Sequence, residues 1–179
     1  LFFMGWLYKF SGLKEVASAL LTEGHTSLLR LLAVGEGDLW DELQEMRSKA
    51  GSGVRLITVG WQPYAAIPDF LAAADICILP AHDIEIMRNI VPIKMYEYMA
   101  AGKPVIATKL PGIMKEFGHE NGVVYIDNAG EVVRKAAELA QNGSMMQLGA
   151  KARQFVMSND WATITDTFEQ TLRGLMHAR

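Results

Sequence analysis

No apolar run in the chain approaches the ~18 residues that a membrane-spanning helix needs. There is also no charged, apolar and small-residue succession of the signal-peptide kind. A spanning segment is therefore not expected. Cysteine is almost missing: Cys77 is the one present, which excludes an internal disulfide. Lying in the apolar stretch ADICILP, it reads as a core thiol of a protein kept in a reducing compartment. Charge of one sign is scarce too. Seventeen Lys and Arg stand against twenty Asp and Glu, for a net charge of −3, which argues against nucleic acid held by bulk charge. Half of the 179 residues are hydrophobic, enough for one domain with a sizeable core.

Short apolar segments alternate with helix-like ones. LFFMGWL, SLLRLLAVG, VRLITVG, DICILP, KPVIAT and GVVYID read as six strands. LKEVASALL, LWDELQEMRSKA, residues 63–74 and PIKMYEYMAAG read as helices between them, and helices fill most of the chain from about Ala129 onward. The strands are rich in Val, Ile and Leu on both faces, as parallel strands are when helices cover both sides. The expected fold is α/β: a Rossmann-like, doubly wound parallel sheet of about six strands with a helical C-terminal tail. The chain opens inside its first strand, so it is expected to be part of a longer protein. In such sheets ligands settle at the carboxyl ends of the strands, so the residues just after each strand are the informative ones.

After the first strand, Gly5 permits a close backbone approach, and Lys9 either meets a phosphate or lies on the surface. GEGD after the second reads mainly as a turn, with Asp38 placed to cap the next helix. After the third, Trp61 and Gln62 either frame a flat base or serve packing. The fourth strand leads into a long loop, AHDIEIMRNIV, that carries His82, Asp83, Glu85, Arg88 and Asn89. Loops of that length are often functional. The spacing of His82, Asp83 and Glu85 matches no familiar metal set, and no metal is expected. Glu116, in the LPGIMKE turn after strand five, either bonds a ligand or sits in solvent.

The stretch NIVPIKMYEYMAAGKPVIAT is the most informative. Pro92 suits the first position of a helix, whose free N–H groups and dipole favour an anion. Lys94 adds charge in that first turn. Glu97 lies one turn further, amid Met95, Tyr96, Tyr98 and Met99, where a carboxylate needs hydrogen-bond donors such as sugar hydroxyls. The alternative is a plain i,i+3 pair of Lys94 with Glu97, worth a few tenths of a kcal/mol.

PIKMYEYMAAGKPVIAT, LPGIMKE, ENGVVYID and the helical tail with Trp161 together resemble the C-terminal, donor-binding lobe of family 4 retaining glycosyltransferases of the GT-B fold. The resemblance runs along residues 1–179. It implies a lobe that binds a nucleoside-diphosphate sugar and belongs to an enzyme transferring that sugar, with retention, to a glycan, lipid or protein-linked acceptor. It implies no cofactor beyond the sugar nucleotide and a missing N-terminal acceptor lobe, without which the fragment transfers nothing. It also implies a cytoplasmic setting, with peripheral membrane association through the absent lobe.

Matched position by position, Glu97 is the glutamate that holds the donor ribose. The glutamate expected eight positions earlier is replaced by Asn89, for which Glu85 stands in if the loop folds back. Gly5 matches the glycine after the first strand. The cationic side chains that grip the diphosphate are replaced by Trp6 and Ser11, leaving Lys94, Lys9 and Arg88 to stabilise the departing charge. No catalytic residue is assigned. Those replacements motivate a second reading, a catalytically silent lobe that acts as scaffold or regulatory partner.

Overall fold

The computed structural model describes residues 1–22, 29–50 and 55–177. The sequence-predicted starts of the second and third strands, at Ser27 and Val54, lie outside the described residues, as do the last two residues of the tail. The elements follow as β1 (Phe2–Met4), α1 (Leu13–Thr22), β2 (Leu31–Val34), α2 (Trp40–Lys49), β3 (Leu56–Val59), α3 (Ile67–Ala72) and β4 (Cys77–Leu79). Next come α4 (Glu85–Arg88), α5 (Ile93–Ala100), β5 (Val105–Thr108), α6 (Pro111–Phe117), β6 (Val123–Ile126), α7 (Val132–Asn142), α8 (Met145–Val156) and α9 (Trp161–His177).

The six strands form one parallel sheet in the order β3-β2-β1-β4-β5-β6. This is the doubly wound α/β arrangement expected from the strand composition. The strand order reverses between β1 and β4, and the crevice opened there is where such sheets receive ligands. Both faces are covered. Leu13, Val16, Ala17 and Leu20 of α1 and Val132, Val133, Ala136 and Leu139 of α7 pack one face at helical spacing. Met95, Tyr98 and Met99 of α5, with Ile113 and Phe117 of α6, pack the other.

Helix α8 comes very close to the end of α5. A Cβ added to Gly149 would lie 2.1 Å from the Gly102 carbonyl oxygen, so only glycine fits. The side chains of α9 from Trp161 to Met176 are exposed. Cys77 is buried in β4, and burial pushes its thiol up to about 12.

Three local expectations are corrected. Asp38 caps nothing: Leu39 is the N-cap of α2 and makes no side-chain cap bond. Pro92 is the N-cap of α5 rather than its first helical residue; its ψ of 125° keeps it extended, while its ring still sets the entry angle. The helix expected over residues 63–74 is a 3-10 turn, Tyr64–Ala66, followed by a short α3, because Pro68 cannot donate its backbone N–H. The long loop after β4 contains the single turn α4.

Candidate functional site

Helix α5 is bolted to the end of β1 by its inward face. The Met4 N–H donates to the buried Tyr98 hydroxyl at 3.0 Å, and the Phe2 and Tyr98 rings meet edge to face at 5.9 Å. Lys94 lies one turn before Tyr98 on the same face, so it too points at β1. Its ammonium sits 4.4 Å from the centre of the Phe3 ring. Gly5 makes room for it: φ is +118°, and a Cβ there would be 2.7 Å from Lys94 Nζ. Burial holds Lys94 well below the usual lysine value, at about 8, while the charge of Glu97 opposes that shift. Among the described residues the Lys94 ammonium forms neither a hydrogen bond nor an ion pair, so the i,i+3 pairing with Glu97 is not made. A partly buried cation without a partner faces an open cleft.

The cleft has a volume of about 690 Å³ and lies over the carboxyl ends of β1, β2 and β3 and the start of α5. Glu97 opens onto it and takes a hydrogen bond from the Tyr64 hydroxyl, which raises the Tyr64 pKa. Glu36, from GEGD, lines it as well and accepts the Trp61 N–H at 3.3 Å. The Trp61 ring is 69% exposed at the rim, so it is not a packing residue, and Gln62 lies beside it with its amide donating to the Trp61 carbonyl at 2.9 Å. One cation, two carboxylates and three exposed aromatic residues, Trp6, Trp61 and Tyr64, thus share a single cavity.

Of the sequence-predicted set, Gly5, Trp61, Gln62, Lys94 and Glu97 come together here. The others do not. Arg88 is held by Asp83 through two hydrogen bonds, 2.8 and 3.2 Å, and does not line the cleft. Glu85 is exposed on α4 and does not fold back. Asn89 is exposed too, its backbone packed near Gly112 at the start of α6. Lys9 is exposed and outside the cavity. All four belong to segments whose local turns direct them outward, a geometry that spacing in the chain does not reveal.

Glu116 accepts a hydrogen bond from Tyr96, whose pKa rises to about 12 by burial first and by this carboxylate second. His82 meets Glu15 at 3.0 Å and Asp83 holds Arg88, so His82, Asp83 and Glu85 do not converge. Among the described residues no group of three or more metal-ligating side chains comes together.

Two polar lining residues are not marked out by the sequence. Glu36 stands in a Gly-rich turn, where its place directly after the second strand is the available signal. Tyr64 falls within the helix expected over residues 63–74; an aromatic residue so close behind Trp61 at a strand end is the clue.

This geometry meets a match along most of the chain: the family model described as glycosyl transferases group 1 covers residues 1–142. The chain belongs to the group 1 glycosyl transferases. It is 27% identical over 130 residues to MJ1607 of Methanocaldococcus jannaschii, an uncharacterized glycosyltransferase, covering 70% of this chain and 32% of that one. It is 35% identical over 65 residues to TuaH of Bacillus subtilis, a candidate teichuronic acid biosynthesis glycosyltransferase, over 35% of this chain and 16% of TuaH. The fold matches Anabaena Alr3699/HepE, crystallised with UDP, with a TM-score of 0.79 and 20% identity over 97% of this chain and 48% of HepE. This member of the group 1 glycosyl transferases therefore spans a third or less of those two curated relatives and about half of HepE. Its architecture is that of a lobe of the GT-B glycosyltransferases. No helix among the described residues is long and apolar enough to cross a membrane.

Proposed function

We propose that residues 1–179 form the donor-binding, C-terminal lobe of a family 4 glycosyltransferase. The whole enzyme would move a sugar from a nucleoside diphosphate to a glycan, lipid or protein-linked acceptor with retention of configuration. The observation that carries this reading is the Lys94 ammonium: partly buried, unpaired among the described residues, and aimed into the cleft from the first turn of α5. A cation held that way is stabilised by an anion, and the N-terminal N–H groups of α5 add to the attraction. Glu97 one turn inside would accept ribose hydroxyls, taking over from the Tyr64 hydroxyl that holds it in the free chain. Trp61 and Tyr64 offer flat faces for a base. HepE and its UDP support the class of ligand.

In this reading Lys94 and the N-terminus of α5 stabilise the leaving diphosphate, and the departing phosphate assists the incoming acceptor on the same sugar face. The protein supplies position and charge rather than a nucleophile. An N-terminal lobe would bring the acceptor, no cofactor beyond the sugar nucleotide is invoked, and the enzyme would work on the cytoplasmic side, at the membrane surface when the acceptor is a lipid. Lys9 and Arg88 leave Lys94 as the lone cation in the cleft among the described residues. This scarcity favours a second reading, a silent lobe that serves as scaffold.

Titration of UDP and GDP, followed by tryptophan emission from Trp6 and Trp61 at the cleft, separates the two. Saturable quenching that is lost in Glu97→Ala supports donor binding. Equal binding by that variant would overturn the ribose role, and no binding at all would leave the scaffold.

A further inference from the structure

A second, smaller groove of about 350 Å³ adjoins the main cleft. The two share Trp6, Ile90, Pro92 and Lys94, so the Lys94 ammonium stands at the neck between them. Its walls are apolar. Tyr8 stacks on Phe10 with ring centres 4.6 Å apart and planes 11° from parallel, and Trp6 leans toward Tyr8 at 6.2 Å. Ile86, Met87 and Ile90 form the opposite side. Among the described residues, no carboxylate and no amide side chain lines the groove. Besides Lys94, the Tyr8 hydroxyl and the Trp6 indole N–H, its polar side chain is Ser11, whose hydroxyl is already engaged by the Leu13 N–H at 3.4 Å. Glu85 and Asn89, the side chains that would bond sugar hydroxyls there, are exposed and do not line the groove.

We infer that this groove receives the sugar of the donor and selects a 6-deoxyhexose, its C–H-rich face on Trp6 and Tyr8 and its methyl group among Ile86, Met87 and Ile90. The inference rests on the donor-lobe reading. With the diphosphate at Lys94 and the nucleoside in the larger cleft beside Glu97, the sugar falls on the far side of the neck. A hydroxyl turned toward Ile86, Met87 and Ile90 would lose its water without gaining a side-chain partner, whereas a methyl group there gains apolar contact. An N-acyl sugar is disfavoured for the same reason, since its amide N–H and C=O would both need partners. Aromatic faces remain compatible with a sugar ring because their electron-rich surface meets C–H groups.

The test compares pairs that share a base: UDP-glucose with UDP-6-deoxyglucose, dTDP-glucose with dTDP-6-deoxyglucose, and GDP-mannose with GDP-rhamnose, each alongside its free nucleoside diphosphate. Calorimetry on the 179-residue chain gives the affinities. In the pair whose base is accepted, the 6-deoxy sugar is expected to bind about tenfold tighter, equivalent to about 1.4 kcal/mol. Ile86→Asn, at an exposed position, should bring that ratio below about threefold, while Trp6→Ala should erase the sugar's contribution and leave the free diphosphate's affinity. Equal or tighter binding of the 6-hydroxy sugar, with the free diphosphate still bound, overturns the sugar class and leaves the donor lobe standing. Failure of every nucleotide to bind removes both.

Discussion

Replacing Lys94 by methionine should make the protein more stable and its cleft useless. The depression of the Lys94 pKa from 10.5 to about 8 corresponds to about 3 kcal/mol of cost for keeping the ammonium charged in the folded chain at neutral pH. The ring of Phe3 at 4.4 Å returns part of that, about 1 kcal/mol. Methionine keeps the apolar stem and the contact with Phe3 while removing the charge. The expected net gain is about 1–2 kcal/mol, an increase of several degrees in Tm.

The sign of the pH dependence follows. Below about pH 8 the ammonium is charged in folded and unfolded chains alike, and the gain is full. Between about 8 and 10.5 the folded chain gives up the proton first, so the gain shrinks and vanishes as the pH climbs. Binding shows the mirror effect: wild-type affinity for a nucleoside diphosphate should hold to about pH 8 and then weaken by up to tenfold per pH unit. Urea unfolding at pH 7 and pH 9.5, with calorimetric titration over the same range, measures both. A variant that is destabilised at pH 7, or one that binds the diphosphate as tightly as wild type, refutes the account of Lys94 as a desolvated cation awaiting an anion.

Tyr64→Phe frees the Glu97 carboxylate from its internal donor, so nucleotide affinity should rise by a few-fold, since an exposed hydrogen bond is worth about 1 kcal/mol or less. A loss of affinity would show instead that Tyr64 holds the ligand or aligns Glu97. The Cys77 thiol, buried and raised to about 12, should not react with a disulfide reagent in the native chain at pH 8 and should react fully in denaturant. Native-state labelling on the minute scale would mean that β4 opens far more readily than its position in the sheet allows.

Much of this protein is written locally. Runs such as VIAT and the spacing of Leu13, Val16, Ala17 and Leu20 define strands and helices within a few residues of one another, and their alternation limits the chain to a parallel sheet covered on both faces. The distance from Lys94 to Glu97 along α5 likewise needs nothing but helical geometry. What folding alone decides is which distant side chains meet. The Met4 N–H finds Tyr98, and that bond aims Lys94 across Phe3. Tyr64 reaches Glu97 from another strand end, and Glu36 turns into the same cavity from a loop that resembled a plain turn. Arg88 and Lys9, equally cationic in the sequence, are lost to the cleft because one is caught by Asp83 and the other faces outward. Periodicity reports a residue's immediate neighbours, whereas a site depends on the relative placement of segments that only the packed sheet brings together.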